Sequence, residues 1–229
     1  MPEFQDKQAV RAEIVRVGIV PVVRAASAEA ALAASRAMAA GGIPVVEVTM
    51  TVPGAVEVIA ELHRTCGAEL LIGAGTVLDA AAARRCIDAG ARFLVSPGFD
   101  LATVQLANAE GVLMLAGSLT PTEIITAWKA GSDFVKVFPC GNVGGPAYIR
   151  AIKAALPLIP VIPTGGVNLA TATQFLQAGA AALGVGGELV SGTPEEMTAK
   201  ARQYAEAIRA FRDEFLNPAN PDVNSRFTG

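Results

Sequence analysis

Residues 69–97 read ELLIGAGTVLDAAAARRCIDAGARFLVSP and contain one strand–helix–strand unit. The apolar runs at 69–75 and 92–97 are short and continuous, as in strands that are buried on both faces of a parallel sheet. An alanine-rich amphipathic segment separates them, with Asp79 near its start and Gly90 at its end, which is typical of a capped helix. The stretch therefore predicts a β–α unit that leads into a second strand.

The same unit recurs along the chain. Apolar runs of this kind lie at 18–25, 45–50, 69–75, 92–97, 112–117, 134–139, 161–166 and 182–187. Glycines that fit helix caps with positive φ stand at the helix-to-strand junctions: Gly41, Gly67, Gly90, Gly111, Gly131 and, two periods later, Gly179. Residues suited to helix starts are Ser27, Asp79, Asp100 and Thr120, with Pro53 and Pro121 at first-turn positions.

Eight such units predict the α/β class and a (β/α)8 TIM barrel. A doubly wound open sheet would also explain the alternation, but no strand-to-helix junction carries GxGxxG with an acidic residue about 20 positions on. We expect a single barrel domain over residues 1–215, with an extra N-terminal helix within 1–16 covering its lower end. Residues 216–229, rich in Asn and Pro, predict an extended C-terminal tail.

Composition excludes several functions. The chain has 229 residues, is 52% hydrophobic and carries a net charge of -3, without a basic cluster interleaved with aromatics, so nucleic acid is not an expected partner. Arg24, Glu47, Asp79 and Lys136 interrupt the hydrophobic stretches, so that none reaches the roughly 18 uncharged residues of a membrane span. Residues 1–16 lack the apolar core of a signal peptide, and we therefore expect no membrane segment and a cytoplasmic location. The three cysteines form no CxxC pair, and the one histidine, His63, is expected at the surface, which excludes a histidine triad and a multi-histidine metal site.

The sixth apolar run places a lysine, Lys136, on the same strand face as Phe134 and Phe138. Lysines are almost never fully buried without a partner, and desolvation favours the neutral amine that a nucleophile requires. Lys136 is therefore a candidate nucleophile. An ion-paired core lysine and an outward-facing edge lysine are the alternatives.

Two further charges stand in strands. Glu47 lies among β-branched residues of the second run, where it could act as general acid and base, or could only balance a buried cation. Arg24 closes the first run, at the strand end where barrels of this type carry their active-site groups. A guanidinium there suits bidentate binding of a substrate carboxylate.

Glycines follow the last three strands. The segments are 142–145 (NVGG), 163–166 (PTGG) and 184–187 (GVGG). Their backbone amides could approach a phosphate, which barrels commonly bind after strands seven and eight. The alternative for each loop is a simple tight turn.

At these residues the chain resembles the bacterial family of 2-keto-3-deoxy-6-phosphogluconate (KDPG) aldolases, which also includes 4-hydroxy-2-oxoglutarate (KHG) aldolase activity. The resemblance covers roughly residues 8–213. Its motifs are Val-Glu-Val-Thr (46–49), Ile-Gly-Ala-Gly-Thr-Val (72–77), Val-Ser-Pro (95–97), Lys-Val-Phe-Pro (136–139) and Pro-Thr-Gly-Gly-Val (163–167).

The resemblance implies a trimeric barrel without metal or cofactor, in which Lys136 forms a Schiff base and Glu47 moves protons. The pyruvate pocket would be lined by Thr76, Pro97 and Phe138. The phosphate-facing rim would include Thr164, Gly165 and Gly166. Independently of the resemblance, the glycine pattern after the last strand makes Gly186 and Gly187 candidates for binding the substrate through their backbone amides.

Two positions depart from the family pattern. Some members carry an arginine where this chain has Thr51, whereas a subset carries it at the position of Arg24, so Arg24 is implied as the carboxylate anchor. After the eighth strand, members often have a phosphate-binding serine where this chain has Gly187, followed by Glu188. The lost hydroxyl and the added negative charge weaken the prediction of a phosphate dianion.

The sequence thus predicts a Schiff-base aldolase acting on a small 2-keto acid, with KDPG as the first substrate and KHG as the second. A phosphate-binding barrel isomerase or epimerase would use the same loops without an imine. A barrel that only binds a sugar phosphate is the third alternative, against which the buried charges count. A metal-dependent aldolase is not expected because the sequence offers no clustered ligand set.

Overall fold

The computed structural model describes residues 6–215, and in them eight strands alternate with α-helices. The strands are β1 (Ile19–Val23), β2 (Val45–Thr49), β3 (Leu71–Gly75), β4 (Phe93–Val95), β5 (Leu113–Ser118), β6 (Phe134–Val137), β7 (Val161–Pro163) and β8 (Leu183–Val185). The helices are α1 (Lys7–Val17), α2 (Ala28–Ala40), α3 (Ala55–Cys66), α4 (Ala80–Asp88), α5 (Leu101–Ala109), α6 (Pro121–Lys129), α7 (Pro146–Ala155), α8 (Leu169–Gln177) and α9 (Pro194–Phe215), with a 3₁₀ turn at Cys140–Val143. The predicted tail at 216–229 lies outside the described residues.

The strands form a parallel barrel. Strands β1 to β7 pair in sequence order, and β1 also pairs with β8, which gives the order β7-β6-β5-β4-β3-β2-β1-β8. A parallel bridge between Thr164, which follows β7, and Gly184 of β8 joins the two ends of the sheet. The predicted (β/α)8 barrel is confirmed, with the ends of each strand within three residues of the ends of its predicted apolar run.

Alternation along the strands separates two apolar cores. Residues that face outward, such as Val46 and Ile72, pack with the helices, whereas Val45, Leu71 and Phe93 point into the barrel. Within residues 6–215, no helix has both the length and the apolar character that are needed to cross a membrane.

The predicted extra helix, α1, packs against one end of the barrel. Its buried residues Val10 and Ile14 belong to the same apolar cluster as the barrel interior, and the Arg11 guanidinium lies 5.4 Å from the centre of the Phe134 ring. This end carries the amino termini of the strands. The carboxyl ends, where the site lies, are at the opposite mouth.

Helix starts follow the predicted capping residues. The side chains of Ser27, Asp79, Asp100 and Thr120 each accept a backbone N–H in the first turn of the helix that follows. Thr120 completes a capping box with Glu123. These caps fix where each strand-to-helix loop ends, and therefore how far the mouth of the barrel extends.

Three local predictions are wrong. Gly41 has φ -84° because its neighbour Gly42 takes the positive φ, and a Cβ on Gly41 would overlap Ala201 of α9. Gly67 keeps helical φ and ψ at the end of α3. Pro53 precedes the N-cap of α3, Gly54, whose positive φ turns the chain into a helix that begins only at Ala55.

Candidate active site

Lys136 and Glu47 meet inside the barrel. Lys136 lies in register with Gly117, and Glu47 lies in register with Gly73. Their Nζ and Oε1 atoms are 3.8 Å apart, and only 4% and 3% of the two side chains are exposed. The alternative of an outward-facing edge lysine is thereby excluded, whereas an ion pair without a catalytic role is not.

The carboxyl group of Glu47 has a raised pKa. Burial is the main cause, and the positive charges of Lys136 and Arg24 act in the opposite direction and lower the pKa. Among the described residues no group donates a hydrogen bond to Oε1. The carboxyl group is therefore suited to gain and lose a proton, and one of its oxygens has no protein donor.

Arg24 directly follows β1 and is exposed at the mouth of the barrel. Its positive charge lowers the pKa of the Glu47 carboxyl group, against the larger effect of burial. The Val23 carbonyl, one residue earlier, accepts a hydrogen bond from the Thr49 hydroxyl at 3.1 Å. Thr49 also shares a 2.7 Å hydrogen bond with Thr51, the residue at the position where some members carry arginine.

Three residues predicted to line the pocket stand at strand ends around this pair. The Phe138 ring centre lies 5.4 Å from Lys136 Nζ. Pro97 follows β4, with its backbone carbonyl packed closely against Gly117. Thr76 follows β3 and has φ 58°, which among the described residues other than glycine is the one positive φ. For a β-branched residue this conformation is strained, and such strain is found mostly at functional sites.

The loops after β6 and β7 lie against each other. The Gly141 amide donates to the Gly165 carbonyl at 2.8 Å, and a Cβ on Gly166 would come within 2.6 Å of the Gly141 Cα. Thr164 is buried, and its hydroxyl occupies the space where a side chain on Gly184 would lie. These glycine loops thus form one continuous rim, for which the close backbone approach requires glycine.

The loop after β8 is more open. Gly186 is half-buried and Gly187 is exposed, with φ 40° and no atom near a Cβ built on it. The exposed Glu188 offers its backbone carbonyl to Lys200 Nζ at 3.0 Å. Burial and, to a smaller extent, the negative charge of Glu188 raise the pKa of Tyr204 on α9 to about 12.

Sequence reasoning missed Thr49. Its hydroxyl ties the end of β2 to the end of β1, next to Arg24. The signal was available, because Thr49 shares the inward face with Glu47 two residues away, but only the register between β1 and β2 reveals the partner.

The family model for KDPG and KHG aldolases matches residues 10–209. A 2-dehydro-3-deoxy-phosphogluconate aldolase of Treponema pallidum is 37% identical over 161 residues, which cover 70% of this chain and 76% of that protein. A 2-dehydro-3-deoxy-6-phosphogalactonate aldolase of Escherichia coli is 32% identical over 200 residues, which cover 86% of this chain and 96% of that protein.

Solved structures agree with these relatives. The KDPG aldolase of Legionella pneumophila, with pyruvate captured at low pH as a covalent carbinolamine intermediate, is 29% identical and has a TM-score of 0.75. The alignment covers 88% of this chain and 97% of that one.

Proposed function

Because the chain belongs to the KDPG and KHG aldolase family, whose named members are lyases, we propose that it is a class I aldolase with Lys136 as the Schiff-base amine. The observation that carries the proposal is the buried Lys136–Glu47 pair, 3.8 Å apart at the carboxyl ends of the strands. The carbinolamine captured in the Legionella relative supports the same chemistry here.

The reaction begins with a proton transfer. Glu47 takes a proton from the Lys136 ammonium, and the free amine attacks the C2 ketone of a 2-keto-3-deoxy acid. Since the 3.8 Å separation exceeds a hydrogen bond, this proton passes through a substrate oxygen or a water molecule between the two groups. Glu47 then protonates the departing hydroxyl of the carbinolamine, which leaves as water and yields a protonated imine.

The imine makes carbon–carbon cleavage possible. Glu47 removes the proton of the C4 hydroxyl, the C3–C4 bond breaks, and its electron pair flows into the iminium to give an enamine. Protonation of the enamine at C3 and hydrolysis of the imine release pyruvate and restore Lys136. KDPG yields glyceraldehyde 3-phosphate as the other product, and KHG yields glyoxylate.

Residues at the mouth of the barrel orient the substrate. Arg24 binds the C1 carboxylate as a guanidinium fork, and Thr76, Pro97 and Phe138 enclose the pyruvate half. The rim of Thr164, Gly165 and Gly166, with the Gly186 and Gly187 amides, faces the distal end. We also propose that the protein is cytoplasmic and forms a homotrimer.

The test is reduction with sodium borohydride in the presence of pyruvate, followed by intact-mass and peptide analysis. Wild type is expected to gain the mass of one reduced pyruvate on Lys136. Lys136→Met is expected to gain none, whereas the exposed-lysine control Lys129→Met reacts like wild type. A folded wild type that stays unmodified in excess pyruvate would reject the imine and favour the isomerase alternative.

Product analysis then shows which of the two candidate substrates, KDPG and KHG, is cleaved. With KDPG or KHG as sole substrate, pyruvate release is followed by a coupled reduction to lactate. Cleavage of KHG but not KDPG would show that the Gly187 and Glu188 departures exclude the phosphate.

A further inference from the structure

Glycines 73 and 75 occupy the inner face of β3, beside the catalytic pair. Gly75 pairs with Thr49 of β2, and Gly73 pairs with Glu47. The Glu47 side chain leaves its own register level and extends towards the mouth, past the backbone of Gly75. Gly75 is therefore the nearest inner-face neighbour of the Glu47 carboxylate on β3.

A side chain at position 75 would occupy the space of that carboxylate. A Cβ built on Gly75 overlaps Glu47 Oε1 and lies 2.5 Å from both Cδ and Cγ. Carbon atoms in ordinary contact are about 3.5–4.0 Å apart, so one of the two groups has to move by about 1 Å or more.

The backbone of Gly75 does not need glycine for its conformation. Its φ is not among the positive values, unlike Gly165 and Gly166 at the rim. The β2–β3 pairing and the 2.7 Å hydrogen bond from the Met50 amide to the Gly75 carbonyl hold this backbone in place. The part that yields is therefore the flexible end of Glu47.

We propose that Gly75 is a positioning residue: its missing side chain is what allows the Glu47 carboxylate to lie 3.8 Å from Lys136. The consequence for the reaction rate rests on the proposed function, whereas the consequence for the position of Glu47 does not.

Other inward glycines of the barrel have different neighbours. A Cβ on Gly73 would overlap the Phe93 ring, one on Gly117 would overlap the Pro97 backbone, and one on Gly184 would overlap the Thr164 hydroxyl. Of these four glycines, Gly75 is the one whose nearest atoms are those of Glu47. Gly73→Ala adds a methyl group to the same strand face, where its nearest atoms are those of the Phe93 ring, and so shows what crowding of the barrel interior alone does to kcat.

Gly75→Ala is expected to fold, because a flexible carboxylate end yields more easily than backbone or a ring. We expect kcat to fall by about 100-fold, since a misplacement of about 1 Å in a catalytic group can cost that much. KM should change little, because Arg24 and the pyruvate pocket are untouched. The pH profile of kcat should also change, because the group that moves is the one that exchanges protons.

A double-mutant comparison with Glu47→Ala distinguishes positioning from general damage. Glu47→Ala removes the Cγ, Cδ and Oε1 atoms that the added methyl group would overlap. The loss of kcat on Gly75→Ala is expected to shrink from about 100-fold to less than about 5-fold in the Glu47→Ala background. An equal loss in both backgrounds, or wild-type kcat and pH profile in Gly75→Ala, would overturn the proposal.

A crystal structure of Gly75→Ala gives a readout that does not depend on the reaction. The Glu47 carboxylate is expected to lie more than about 1 Å from its present position, with the β3 backbone unmoved. An unmoved carboxylate beside a shifted strand would refute the positioning role. Failure of borohydride trapping in wild type would reject the imine but leave this structural result standing, so the two failures can be told apart.

Discussion

A carboxyl group and an amine that face each other inside an apolar barrel stabilise the fold little. Desolvation of the two charges offsets most of their attraction, and the Glu47 Oε1 atom gains no hydrogen bond from the described residues to compensate. Stability alone therefore does not account for the pair at this position.

The raised pKa of Glu47 makes stability depend on pH. Between its ordinary value of 4.5 and the raised value, the folded protein holds a proton that the unfolded chain has lost, so stability falls as pH rises. We expect the stability of wild type relative to Glu47→Gln to be greatest below about pH 4.5 and to decline as the pH rises through the folded-state pKa. Urea unfolding at a series of pH values measures this difference.

The same comparison in the Lys136→Met background removes any contribution from the lysine. Without the attraction of Lys136 the decline should persist, because burial is the larger cause of the shift. If the stability difference between the proteins with and without Glu47→Gln grew with pH, the carboxylate form would be the stabilised one. That result would contradict burial as the main cause of the raised pKa of Glu47.

The backbone of Thr76 has an unfavourable conformation. Its φ of 58° costs a β-branched residue about 1–3 kcal/mol, and glycine adopts it freely. We expect Thr76→Gly to be more stable than Thr76→Ala by about 1 kcal/mol, the reverse of the usual order, and both variants to lose aldolase activity with the threonine side chain. Urea unfolding and steady-state kinetics test this. An alanine variant as stable as the glycine variant would show that the backbone is not strained.

At the scale of elements, α1 is held at both ends. Near its start, Lys7 forms a 2.9 Å ion pair with Asp133 and a 2.7 Å hydrogen bond to Asn108. At its end, the Arg212 guanidinium of α9 donates hydrogen bonds to the backbone carbonyls of Val15 and Arg16. The last carbonyls of a helix have no intrahelical partner, so Arg212 satisfies groups that would otherwise be unpaired.

Removing this contact should loosen the helix that covers the lower end of the barrel. Arg212→Met is expected to lower the free energy of unfolding by about 1–2 kcal/mol, because two charge-assisted hydrogen bonds are lost at a partly exposed site. Hydrogen exchange should become faster in α1 before the strands are affected. Arg209→Met, on the same helix, should change stability by less than about 0.5 kcal/mol. Equal effects of the two variants would rule out a specific role for Arg212.

The elements themselves were predictable because their signals are local. Continuous apolar runs and the caps at Ser27, Asp79 and Asp100 depend on neighbours within a few residues. Gly41 was misjudged because its glycine serves contact with α9, about 160 positions away in the sequence, rather than a turn.

The site was predictable only in part, because its geometry also depends on residues that are distant in the sequence. Lys136 and Glu47 each stand out as a charge in an apolar strand, but their 3.8 Å separation depends on strand register and on the empty side-chain position at Gly75. The partner of the Thr49 hydroxyl, the Val23 carbonyl, likewise follows from which strands are neighbours.

At the scale of the whole molecule, the two ends of the barrel have different tasks. The lower end is closed by α1 and carries packing, whereas the mouth carries the charges, the strained residue and the glycine rim. Large exposed apolar residues also lie near the mouth: Leu78 is 64% exposed after β3, and Leu101 is 49% exposed at the start of α5. An assembly of chains that covers them would remove an unfavourable apolar surface from water.

The predicted homotrimer can be tested by measuring the mass of the protein in solution. We expect light scattering after size exclusion to give a mass of about three times the 23.4 kDa of one chain. If Leu78 and Leu101 lie in the interface, the double variant Leu78→Glu, Leu101→Glu should shift the mass towards that of one chain, because burying two carboxylates is costly. Leu158→Glu is the matched control, since Leu158 is 87% exposed in the loop between α7 and β7 at the opposite end of the barrel. A monomeric wild type would reject the trimer, and an unchanged trimer in the double variant would place the interface elsewhere on the barrel.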